Sequence, residues 1–185
     1  MSAPSRDEIE ALLRAGDPLA AARAAGVTPG AGVTVTRGEA SGDRLADGDD
    51  EGAIDDHRAA HAEGRPSEAA VAYGAGHDPA AVAARIAALA ALARETGMLR
   101  AVCPVPAESG PERPGSWGVE DLTIIAACRL AMPAGVEVRP HWVRLGAAAC
   151  QIAVAFGATE WRIPEGDAAD PERLAAGVGA AVRRA

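Results

Sequence analysis

Four residues in one short stretch have the types that metal sites use: Asp55, His57, His61 and Glu63. Histidines four positions apart lie on one side of a helix, so two imidazoles can share a cation while the carboxylates supply oxygen ligands. The glutamate that an H-E-x-x-H motif places between its histidines is missing, and acidic segments produce such spacings by chance. His57 and His61 are therefore weak metal candidates. Cys103, Cys128 and Cys150 lie more than twenty residues apart, so no C-x-x-C pair forms a zinc knuckle or redox dithiol from sequence neighbours. Their ordinary role is that of small buried hydrophobes. Glu108, His141 and Glu165 have acid–base chemistry to offer, but only if the fold gathers them at one place. No self-sufficient catalytic motif is present.

The elements that would position these groups are legible in the pattern. Ser5-Arg6-Asp7-Glu8 reads as a capping box ahead of Ile9, Leu12 and Leu13, with Gly16 as the stop. Asp17-Pro18 opens a second short helix that closes at Gly26, and Val33 to Thr36 is a β-branched run suited to a short strand. From Arg37 to about Pro66 the pattern fails, with Leu45 and Ile54 as the only large apolar residues. This segment reads as a flexible acidic linker with at most a helical turn around His57.

Beyond it strand and helix alternate. Strands are expected at Ala69 to Tyr73, Leu99 to Val105, Val136 to Arg139 and Glu160 to Ile163. Helices follow from Asp78-Pro79 to Gly97, from Val119 to Met132, from Val143 to Phe156, and from Asp170-Pro171 to Arg183-Arg184. Repeated strand–helix units with right-handed crossovers make a parallel sheet covered by helices. The expected fold is α/β: a four-unit parallel βα half-barrel over 68–185, preceded by a helical segment over 1–36 and the linker over 37–67.

In such folds reactive groups sit where strands end and lead into helices. That rule selects Tyr73, Gly74, Gly76 and His77, then Cys103, Glu108 and Ser109, then His141 and Trp142, then Glu165. Each has a plainer role as well: the glycines as turns, His77 as a helix cap, Trp142 as core.

The chain has 185 residues and a net charge of −8, and all 18 of its basic residues are arginine. Without clustered positive charge, neither nucleic acid nor an anionic membrane surface is an expected partner. No apolar run reaches the length of about 20 residues needed to span a bilayer. The first residues turn acidic at once and show no apolar signal-peptide core, so a cytoplasmic location is expected.

Several runs in the second half look familiar: Ala72-Tyr73-Gly74, Ala93-Arg94-Glu95-Thr96-Gly97, Gly118 to Ala126, Arg129-Leu130, His141 to Gly146, Gln151-Ile152-Ala153 and Phe156 to Glu160. Together, over residues 69 to about 166, they resemble the C-terminal half of radical S-adenosylmethionine enzymes of menaquinone biosynthesis. The nearest are aminofutalosine synthase and dehypoxanthine futalosine cyclase; FO synthase is more distant. The resemblance implies the last four strands of a (β/α)8 barrel, with residues 8 to 36 echoing the helical lead-in and first strand. Two departures matter. The family holds a [4Fe-4S] cluster with C-x3-C-x2-C near its first strand, and no cysteine precedes Cys103 here. Where the family carries a histidine after Tyr73-Gly74 this chain has Ala75, with His77 two residues further on.

The resemblance thus implies a degenerate, truncated relative that uses neither an iron–sulfur cluster nor any other cofactor and binds a small, nucleoside-like molecule or a partner enzyme. The alternatives are a non-radical enzyme with acid–base residues at the strand ends, and a subunit that completes a barrel with a separate N-terminal half. An interior face lined by Val71, Val102 and Val138 would be apolar, and covering it would take a homodimer or that separate half-barrel.

Overall fold

The computed structural model describes residues 3–28, 30–38, 50–74, 76–107 and 118–184. Helix α1 spans Arg6–Ala15 and opens with the expected capping box: the Glu8 N–H donates to Ser5 Oγ at 3.2 Å, and the Ser5 N–H donates to Glu8 Oε2 at 2.6 Å. Helix α2, Pro18–Ala24, is capped by Asp17, and β1 follows at Val33–Arg37. Then come α3 (Asp50–Ala62), β2 (Ser67–Tyr73), α4 (Pro79–Thr96), β3 (Leu99–Pro106), α5 (Val119–Ala131) and β4 (Glu137–Val138). Helix α6 (Trp142–Ala153) runs into a 3-10 turn at Val154–Phe156, followed by β5 (Glu160–Ile163), α7 (Pro171–Gly177) and β6 (Val182–Arg184). Among the described residues no helix is long and apolar enough to cross a membrane.

The mixed α/β class and the alternation of strand and helix agree with the sequence. The sheet differs from the expected row of four. Two parallel three-stranded sheets form, in the orders β2-β3-β4 and β5-β1-β6. They meet where the Thr159 N–H donates to the Val138 carbonyl at 2.9 Å and the Val138 N–H donates to Thr159 Oγ1 at 2.8 Å. Only two residues of β4 form a ladder, because Pro140 follows closely and has no N–H to donate. Strand β5 takes its main pairing from β1 instead, with Thr34 opposite Glu160 and Thr36 opposite Arg162. On its other side β1 pairs with β6, Val33 opposite Val182, so this strand is central and does not guard an edge.

The faces of the strands are the reverse of those expected. Val71, Val102 and Val138 pack in one cluster with Ile86 and Leu89 of α4 and with Ile124 and Ile125 of α5, so they face the helices. The opposite face carries Ala70, Cys103 and Val105 as a small apolar cluster, and beside it a network of charges. Arg139 donates from Nη1 and Nη2 to the two carboxylate oxygens of Glu68, both at 2.8 Å, and from Nη2 to Glu160 at 2.8 Å. Arg162 donates to the same two Glu68 oxygens, both at 2.9 Å, and Thr36 Oγ1 donates to Glu160 at 2.8 Å. Adjacent strands lie about 4.8 Å apart. Glu68 of β2 can touch Arg162 of β5, three strand steps away, only because the strands curl around this face. The apolar surface expected to drive pairing of two copies is therefore already turned against α4 and α5.

Two further segments depart from expectation. Residues 50–62, read as part of a flexible linker, form α3, which lies against α4 and β2 with Ile54 on the main core and His61 buried. An alanine-rich helix with one large apolar residue gives little signal, and its stability comes from docking. The last helix stops at Gly177 and does not continue to Arg184. Gly179, at φ 69, turns the chain, and Val182–Arg184 become β6 because the open edge of β1 offers a parallel partner. In α6, Gly146 (φ 78, ψ 164) breaks the helical geometry that sequence periodicity had suggested was continuous.

Candidate functional site

At the C-terminal end of β2 a cavity of about 340 Å³ opens between α1, α4 and α5, and Tyr73, Gly74 and His77 line it. Strand β2 delivers Tyr73, and Gly74, at φ 100, turns the chain toward Asp78, whose carboxylate caps α4 by accepting from the Ala80 N–H at 3.1 Å. The facing wall is the first turn of α5, with Val119, Glu120 and Thr123. Behind it the Tyr73 hydroxyl donates to Asp121 Oδ1 at 2.6 Å, a buried contact. Burial, reinforced by the Asp121 charge, raises the pKa of that phenol well above its ordinary value. Burial and then Asp121 also raise the Glu120 carboxyl, opposed by His77. Thr123 Oγ1 donates to the Val119 carbonyl at 2.7 Å.

Three of the strand-end candidates thus share one cavity. Glu120 and Thr123 were missed because the strand-end rule looks at loops, and these residues lie within the first turns of a helix. A signal existed, since both belong to the run from Gly118 to Ala126 that carries the family resemblance.

The remaining candidates are placed differently. Gly76 is exposed at φ 94 beside the cavity. Cys103 is buried on the charged face of the sheet, and burial pushes its thiol up to about 12. His141 is buried as the N-cap of α6, its Nδ1 accepting from the Arg144 N–H at 3.2 Å. Trp142 belongs to the core, its ring edge-on to Trp161 at 6.0 Å and its Nε1–H donating to Asp167 at 2.9 Å. Glu165 is exposed in the turn after β5. Glu108 and Ser109 lie outside the described residues.

His57 and His61 meet at a serine. Thr96 Oγ1 donates to the Leu92 carbonyl at 2.9 Å, so toward His61 it must accept, from Nδ1–H at 2.8 Å. His61 Nε2 then accepts from the Ser67 hydroxyl at 2.8 Å, and the Ser67 oxygen accepts from His57 Nδ1–H at 2.8 Å. The chain of bonds fixes α3 to β2 and α4. Among the described residues, no group of three or more histidine, cysteine or acidic side chains is arranged to hold a metal.

Burial lowers the pKa of both imidazoles, with Arg85 and His61 adding to the effect at His57. A histidine whose folded pKa lies below its unfolded value of 6.5 binds its proton more readily when unfolded. The stability it contributes is complete above 6.5 and is lost as the pH falls from there toward the folded pKa. Melting temperature is therefore expected to drop as the pH is lowered from about 8 to about 5, and less so in the His57→Gln/His61→Gln double variant. Scanning calorimetry across that range checks this; equal pH slopes in the two proteins would refute it.

The thiols do not fit an iron–sulfur cluster of the kind that the radical S-adenosylmethionine family holds. Cys103, Cys128 and Cys150 belong to three separate packing clusters, and all three are buried. Burial pushes Cys128 up to about 12 and also raises Cys150, whereas cluster ligation needs thiolates. Compared with protein-family models and with curated proteins, the chain matches none.

Proposed function

We propose that the chain is a non-radical relative of the radical S-adenosylmethionine enzymes of menaquinone biosynthesis, and that it binds a small molecule in the cavity at the end of β2. The observation that carries this reading is the cavity itself. It gathers Tyr73, Gly74 and His77, from the end of the first family-like strand, with Glu120 and Thr123 from a family-like helix. On this reading, residues from β2 onward are a four-unit remnant of the family's barrel. Support comes from the pairing of β5, the last family-like strand, in parallel with β1. In a closed eight-stranded barrel the last strand lies beside the first, the place that the lead-in resemblance gives to β1.

Two measurements test the proposal. Anaerobic reconstitution with iron and sulfide, followed by reduction in the presence of S-adenosylmethionine, is expected to give no stoichiometric cluster and no 5′-deoxyadenosine. Formation of both would end the non-radical reading. Saturation-transfer NMR with small aromatic and nucleoside compounds is expected to find binding that Val119→Trp, at the cavity rim, removes. Binding that ignores this substitution would place the ligand elsewhere.

A further inference from the structure

We infer that the cavity at the end of β2 selects a small organic cation, an ammonium or amidinium group carried on a compact apolar body. The inference rests on the reading of this cavity as a small-molecule site and adds the class of ligand.

The protons of the lining decide the class. A carbonyl cannot donate, so the hydroxyl proton of Thr123 is committed to the Val119 carbonyl, and the Thr123 oxygen has only lone pairs left to offer. The Tyr73 proton is committed to the Asp121 carboxylate, and the phenol oxygen likewise can only accept. Glu120 stands exposed at the rim and offers its own carboxylate. Apart from His77, the polar side chains of the lining have no proton left to donate, and Glu120 brings a carboxylate to it with Asp121 behind. A ligand carboxylate or phosphate would meet the Glu120 carboxylate, with the Asp121 charge behind the wall, and its own acceptors would go unmet. An ammonium brings three donors and the opposite charge.

Two features could favour an anion instead, and neither does so. The first turn of α5 has no side-chain cap, and its amide groups make that helix end positive. Glu120 and Asp121 in the same turn already supply the negative charge that such an end attracts. His77 acts on Glu120, partly opposing the rise in its pKa that burial and Asp121 cause, so this imidazole is already answered by a carboxylate before any ligand arrives. The rest of the wall, from Leu13, Pro79, Val82 and Ile124, is apolar and takes the body of the ligand. The chain's net charge of −8 adds long-range attraction for cations.

Benzylamine, benzyl alcohol and benzoate share one ring and differ in charge, which makes them suitable probes. NMR titration of the isotope-labelled full chain is expected to show benzylamine perturbing the amides of Tyr73 to His77 and Val119 to Ile124. Benzyl alcohol should bind about tenfold more weakly and benzoate more weakly still, by the loss of one charge-assisted contact. Glu120→Gln should weaken benzylamine by a similar factor and leave benzyl alcohol unchanged, and Thr123→Val should weaken the amine in the same direction. Equal binding of all three probes, or benzylamine affinity unmoved by Glu120→Gln, would overturn the cation assignment while leaving a small-molecule cavity. Failure of every probe to bind there would overturn both.

Discussion

Replacing Arg139 with alanine is expected to destabilise the fold by about 3–5 kcal/mol, the usual consequence of removing one partner from a buried ion pair. Burial alone would discourage the guanidinium charge, but the hydrogen bonds that it donates to Glu68 and Glu160 more than offset this and hold Arg139 firmly protonated. Its side chain is 5% exposed, as is that of Glu160. Without it, Glu160 keeps a distant approach to Arg162 at 3.9 Å and the Thr36 hydroxyl, which is poor compensation for a buried carboxylate. Lysine should recover only part of the loss, because one ammonium cannot reproduce a fork that meets Glu68 through two nitrogens and Glu160 as well. Urea denaturation of the three proteins measures this. A loss under about 1 kcal/mol for Arg139→Ala would mean that the two glutamates reach water unaided.

Trp161→Ala is expected to cost a comparable 3–5 kcal/mol, here through lost packing. Trp161 is fully buried on β5, donates from Nε1 to the Cys150 carbonyl at 2.9 Å and packs edge-on against Trp142. The indole therefore ties β5 to α6 both by contact and by a buried hydrogen bond, and alanine leaves a cavity with an unmet carbonyl in it. Leu122→Ala is the comparison, since Leu122 belongs to the family-like run but only half buries its side chain against the main core. It should lose clearly less. Equal shifts in denaturation midpoint for the two variants would show that the Trp161 site collapses without penalty.

Sequence reading worked where one element carried its own signal. In α4, Asp78-Pro79 marks the start, Val82, Ile86, Leu89 and Ala93 mark the buried stripe, and Gly97 ends the helix at φ 66, all as read. It failed where the deciding partner lay far away in the chain. In β2 the run Ala69-Ala70-Val71 is buried on both sides, so alternation could not say which face meets the helices. Glu68 looks like a surface residue until Arg162, 94 positions later, is seen to hold it. Arg183 resembles a favourable helix C-terminus, and only the open edge of β1 makes its segment a strand. At the candidate site, Tyr73 and His77 were legible because a strand ends there. Glu120 and Thr123 were hidden because in isolation they are ordinary helix residues.

The position of β1 between β5 and β6 also sets the order in which the molecule can be completed during synthesis. Thr36 finds its hydrogen-bond partner Glu160 only 124 residues later. At 5–20 residues per second, the ribosome takes roughly 6–25 s to supply it. Through that interval β1 has neither neighbour, although the units from β2 to β4 can already form, since β2, β3 and β4 pair with one another. A β-branched strand kept waiting with both edges bare suits capture by a chaperone or by the same strand of a neighbouring nascent chain. The sheet that unites early and late parts of the chain thus cannot close before β5 and β6 have been made.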